Sequence, residues 1–151
     1  VGMVRDDLVS KVFNISESQI DDKVNELLNL INNEREKNGL IKLQILPRLQ
    51  EIAMTKAEDM VKNNYFSHES PSYGNPFDMM KNFGITYKSA GENIAGNSSI
   101  EGAFNSWLLS ENHKQNILST AYNYIGIGIS PSEKYGYIIV AMFIRKIASR
   151  Y

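Results

Sequence analysis

Apolar positions along the chain alternate between helical and strand spacing, and this predicts most of the elements. Val24, Leu27, Leu28 and Ile31 recur at i, i+3, i+4 and i+7. This predicts an amphipathic helix over 21–37, capped by Ser18 or Asp21 and stopped at Asn38-Gly39. Residues 40–46 read as a connector. Pro47 suits the first turn of a second helix, whose apolar face is Leu49, Ile52, Ala53, Ala57, Met60 and Val61, running to about Asn64. The polar stretch FSHESPSYGN is a loop. Asn75 as N-cap and Pro76 at the next position open a short helix, with Phe77, Met80 and Phe83 available to a core and Gly84 as its stop.

Residues 86–95 read as a strand ending in GENIA. Ile100, Ala103, Phe104, Trp107 and Leu108 form a further helical stripe, interrupted at Ser110–Asn112 and followed by a short helix to about Ser119. Asn112 is its expected N-cap, with His113 at its first position. Ile125, Ile127 and Ile129 alternate with Gly126 and Gly128, a strand with close backbone approach on one face. Residues 137–145 are apolar on both faces, the mark of a strand covered on both sides. PSEKYG joins these last strands as a hairpin. The fold class is α+β, with helices flanking a small, mainly antiparallel sheet in an α-β-α sandwich. One domain over 20–147 is expected, with 1–19 as an N-terminal extension and 148–151 as a tail.

Composition narrows the function. A net charge of −1 with no basic block offers no field for nucleic acid. With no cysteine, disulfides, a thiol nucleophile and thiolate metal sites are excluded. The longest apolar run, Tyr137–Ile144, is too short to span a bilayer as a helix. The opening residues carry no basic, apolar leader, so any export signal or anchor is expected outside this chain.

Chemistry centres on few residues. His68 lies in the polar loop and His113 at a helix start, where an imidazole tends to stay neutral and able to ligate metal or accept a proton. Glu92, flanked by Gly91 and an Asn-Ile-Ala run, is a carboxylate led into an apolar strand. It needs partners there, either backbone N–H groups in a turn or an imidazole it orients or joins as a metal ligand. Asn93 serves either arrangement. Glu111 stands two residues from His113, out of helical phase with it. No phosphate loop, nucleophile elbow, His-Glu-x-x-His or EF-hand pattern is present.

Taken in order, NEREKNGL, AEDMVKNNYFSH, NPFDMMKNFGI, GENIAG, FNSWLLSENHKQNIL and YIGIGI resemble a bacterial CAP domain, the superfamily of cysteine-rich secretory, antigen 5 and pathogenesis-related proteins. The likeness covers about residues 22–145. It implies one α-β-α sandwich with a shallow cleft lined by two histidines and two acids, where some members hold a divalent metal such as Zn²⁺ between the histidines. By resemblance, His68 and His113 match the histidines and Glu92 matches the acid of GEN, all three being candidate ligands. The second acid falls at Ser110, a departure shared by bacterial members, and Glu111 is adjacent in another phase. YIIVAMF replaces the family's Tyr-Trp-x-Gln-x-Phe, implying a more apolar side to the cleft. The resemblance also implies an extracellular or cell-surface location and a monomer. A module binding a protein, lipid or small molecule is favoured over a metal-dependent hydrolase, and a purely structural polar cluster is the third reading.

Overall fold

The computed structural model describes residues 15–146; the expected tail and all but the last residues of the expected extension lie outside them. Helix α1 (Glu17–Lys37) begins earlier than its apolar stripe. Ser16 is the N-cap and Gln19 reaches back to it, so a capping box starts the helix ahead of both predicted caps, Ser18 and Asp21. Residues 17–19, read as the end of an extension, are the first turn of this helix. Strand β1 (Gln44–Ile45) follows, then α2 (Pro47–Lys62), α3 (Pro76–Asn82), β2 (Ser89–Asn97), α4 (Ile100–Leu109), α5 (Glu111–Leu118), β3 (Tyr124–Ser132) and β4 (Gly136–Arg145).

The sheet order is β1-β3-β4-β2. β3 pairs with β4 as the expected hairpin, β4 pairs antiparallel with β2, and β1 runs parallel to β3. β1 has no periodicity to reveal it, because it contributes only a two-residue pairing before Pro47 turns the chain into α2. Beyond it, the N–H of Ile127 donates to Gln50 Oε1 at 2.6 Å, so a helix side chain completes the edge that β1 leaves open.

Alternation splits the core into two layers. Ile125, Ile127, Ile129, Ala141 and Phe143 pack with α1, α4 and α5. Ile138, Val140, Met142 and Ile144 pack with α2 and α3. The sandwich is therefore helices, sheet, helices. A β-carbon on Gly128 would stand 2.1 Å from the Ala53 carbonyl oxygen, and one on Gly126 would stand 2.4 Å from that of Leu49. The close approach predicted for these glycines is the seat of α2. In α3, Met79 and Met80 are buried, while Phe77, expected in the core, is 43% exposed.

Both residues of the Asn63-Asn64 pair end α2. Asn64 takes a left-handed φ of 52° and Tyr65 N–H donates to the Met60 carbonyl oxygen at 3.1 Å, a turn usually given to glycine. The chain then enters the loop that carries His68.

Candidate functional site

Two adjacent residues of β2 build the site from opposite faces. Side chains alternate along a strand, so Glu92 turns toward α2 and Asn93 toward α5. β2 is an edge strand, and side chains of both helical layers reach it, Lys56 of α2 at Glu92 and Asn116 of α5 at Asn93.

Glu92 does not emerge into the cleft. Its side chain is 1% exposed, against 53% for His68. Oε1 lies 2.7 Å from His68 Nδ1. A carboxylate can only accept, so Nδ1 carries the proton and the lone pair of His68 sits on Nε2. Glu92 is thus the support beneath His68, in the arrangement that orients an imidazole for a ligand.

Below them stands Lys56, absent from the sequence reading. Its side chain is completely buried, and Nζ lies 3.4 Å from Glu92 Oε2. It also donates to the His68 carbonyl oxygen at 2.6 Å. One ammonium therefore holds both the carboxylate and the loop backbone of the histidine. A signal for it existed: Ile52, Lys56 and Met60 are spaced by four, placing a cation in the apolar stripe of α2, where it needs an anion. Asp59 fixes the same loop. It accepts from Asn63 Nδ2 at 2.6 Å, from Ser70 Oγ at 2.7 Å, and from the Tyr65 hydroxyl. Burial would raise its pKa, but these hydrogen bonds and Lys56 outweigh burial and leave the carboxyl below its ordinary range.

His113 is held from the other layer. The α5 N-cap is Ser110, not Asn112, so His113 stands at the third helical position. The Ser110 side chain leaves the cap bond unmade and lies 2.8 Å from His113 Nδ1 through its Oγ. A hydroxyl can donate or accept, so His113 can offer Nε2 as either lone pair or N–H. Trp107 stacks on the imidazole, with centroids 6.4 Å apart and planes 20° from parallel, while its Nε1 donates to the Ile94 carbonyl oxygen at 3.0 Å. Asn93 Nδ2 donates to the His113 carbonyl oxygen at 3.0 Å, and Asn93 Oδ1 accepts from Asn116 at 2.8 Å. Burial first, then nearby His68, lowers the His113 pKa. Its expected neutrality is thus supported in direction, with burial and a neighbouring imidazole as the cause.

Glu111 is exposed and stands 3.5 Å from Gln115 Nε2, apart from this network. Among the described residues no group of three or more His, Asp or Glu side chains is placed to hold a metal. The apolar β4 does not wall the cleft as expected: Ile138–Ile144 lies between β3 and β2 and is buried.

The profile of the cysteine-rich secretory protein family matches residues 28–143. The chain is 48% identical over 122 residues to the uncharacterized protein YkwD of Bacillus subtilis, covering 80% of this chain and 46% of the relative. It is 38% identical over 131 residues to the uncharacterized membrane protein YlbC of the same organism, covering 83% and 35%. It thus spans less than half the length of each. Among solved structures, an extracellular protein containing an SCP domain from Bacillus anthracis superposes with a TM-score of 0.78 at 29% identity, covering 87% of this chain and 44% of that one. No helix among the described residues is long and apolar enough to cross a membrane. With a profile that covers most of its length and a matching sandwich, the chain belongs to the cysteine-rich secretory protein, or CAP, family.

Proposed function

We propose that this chain is an exported recognition module that binds its ligand between His68 and His113. The observation that carries this reading is the occupancy of the imidazoles. Both rings have Nδ1 engaged, His68 by Glu92 and His113 by Ser110, and this leaves Nε2 of each for a shared ligand. A divalent cation such as Zn²⁺ suits that pair, since neutral imidazole nitrogens with their second nitrogen hydrogen-bonded are good ligands. When bound, the cation would offer its remaining coordination positions to an anionic or carbonyl group of a protein, lipid or small-molecule partner. His68 and His113 would hold it, while Glu92, Lys56, Ser110 and Trp107 would keep the rings in place.

Binding is favoured over hydrolysis because the site's carboxylate is already committed. Glu92 bonds His68 and faces Lys56, and Glu111 stands apart. Neither Glu92 nor Glu111 is therefore left to activate a water. Export rests on the likeness to an extracellular relative.

Calorimetric titration of metal-stripped protein with Zn²⁺ at neutral pH, beside His68→Ala/His113→Ala, tests this. One-to-one binding that the double variant loses is expected, with no cleavage of an unfolded protein substrate by the loaded protein. Zn²⁺ binding that the variant retains overturns the two-histidine site. Cleavage that disappears in the variant overturns the recognition module in favour of a hydrolase.

A further inference from the structure

A pocket that neither histidine lines lies between the end of α2, the residues after it and the β3–β4 turn. Its volume is about 360 Å³, at the small end of ligand sites, which span roughly 300–1,000 Å³. Its floor is Met60 and Ile138, and its walls include Tyr65, Phe66 and Tyr135. Tyr65 is pinned through its hydroxyl to Asp59. Tyr135 is pressed onto β2 so closely that a β-carbon on Gly96 would meet its Cγ at 2.6 Å. Phe66 leans on Tyr135 with centroids 5.6 Å apart and planes tilted by 45°, yet remains 42% exposed. The core does not need that ring at the surface.

The rim carries Asn64, Glu133 and Lys134, while Ser132 is buried with its Oγ accepting from the Tyr135 N–H at 3.2 Å. One acid and one base cancel, so the rim selects no charge. Amide, carboxylate and ammonium together offer both donors and acceptors. The exposed Phe66 ring beside such a neutral rim matches a ligand with C–H groups on its faces and hydroxyls around its edge. We infer that this pocket is a binding site for one neutral pyranose ring of a glycan chain, stacked on Phe66 and hydrogen-bonded at the rim, with Tyr135, whose ring lies under the Lys134 ammonium at 5.2 Å, backing Phe66. An acyl chain would make no use of the rim donors and acceptors, and a charged ligand of either sign would meet one like charge, Glu133 or Lys134.

Saturation-transfer NMR of the whole chain tests this with three neutral probes: oligomers of β-linked N-acetylglucosamine, β-linked glucose and α-linked mannose. At least one should show saturable binding. Phe66→Ala should weaken it by at least about tenfold, as truncating an aromatic anchor does. Tyr135→Phe, which keeps the ring, should retain it, and Phe77→Ala should leave it unchanged. Melting curves confirm that each variant folds. The inference is overturned if none of the three probes binds, if binding survives Phe66→Ala, or if decanoate or adenosine displaces the sugar from that ring.

Discussion

Lys56 shows how one side chain holds a site it does not enter. Its ammonium is the cation nearest the buried Glu92 and also binds the His68 carbonyl oxygen. Removing one member of a buried ion pair leaves the other charge unmatched, at a cost of about 3–5 kcal/mol. Lys56→Met should lower stability by that order in urea unfolding. Lys56→Met/Glu92→Gln should recover a large part of it, because the orphaned charge is gone. Equal stability of Lys56→Met and wild type would mean that the pair contributes nothing. His113 makes a separate prediction. Its pKa lies below 6.5 in the folded protein, so between that lowered value and 6.5 the unfolded chain binds more protons. Its contribution is fully present above about pH 6.5 and is lost as pH falls through the folded value. The urea midpoint of the metal-free protein should decline from pH 7 to pH 5. His113→Gln should flatten the decline, and an unchanged slope would remove His113 as its source.

Elements were legible where they carry a long period, and illegible where a tertiary partner defines them. The stripe of Ile100, Ala103, Phe104 and Trp107 marks α4, and the Ile-Gly alternation marks β3. β1 could not be seen, because two residues have no period and only β3 makes them a strand. α1 starts earlier than its apolar spacing predicts because Ser16 and Gln19 form a reciprocal cap, while the stripe itself points to the later Ser18 and Asp21. Phe77 was misassigned because the short α3 buries consecutive methionines instead. The glycines of β3 carry a sharper prediction. Gly128→Ala puts a methyl 2.1 Å from the Ala53 carbonyl oxygen, which is backbone and cannot swing aside. α2 must then lift from the sheet, at a cost of about 1–3 kcal/mol or more by analogy with overpacked cores. Gly39→Ala meets no atom within 4 Å but sits at a φ of 73°, so its cost is conformational and local. Only Gly128→Ala should broaden amide exchange across α2. Equal exchange in both variants would refute a seat set by backbone contact.

At the scale of the molecule, the site is a product of assembly. His68 and His113 lie 45 positions apart, one attached to the α2 layer through Lys56 and the other to the α4–α5 layer through Trp107 and Ser110. Spacing along the chain could not join them; the ordered likeness to a family could, and so named both histidines and Glu92. It could not name Lys56, nor tell that Trp107 stacks on His113, because both depend on how the layers meet at the edge of β2. A ligand bridging the histidines therefore ties one helical layer to the other, and binding only the folded state must stabilise the whole. At one hundred times its Kd, Zn²⁺ would add about 2.7 kcal/mol, which for a domain of this size raises Tm by about 5–10 °C. His68→Ala and His113→Ala should each abolish most of that rise, because either loss leaves the ion tied to one layer. A rise retained in either single variant would place the ion elsewhere, while no rise at saturating Zn²⁺ would leave the two imidazoles to a ligand that needs no metal.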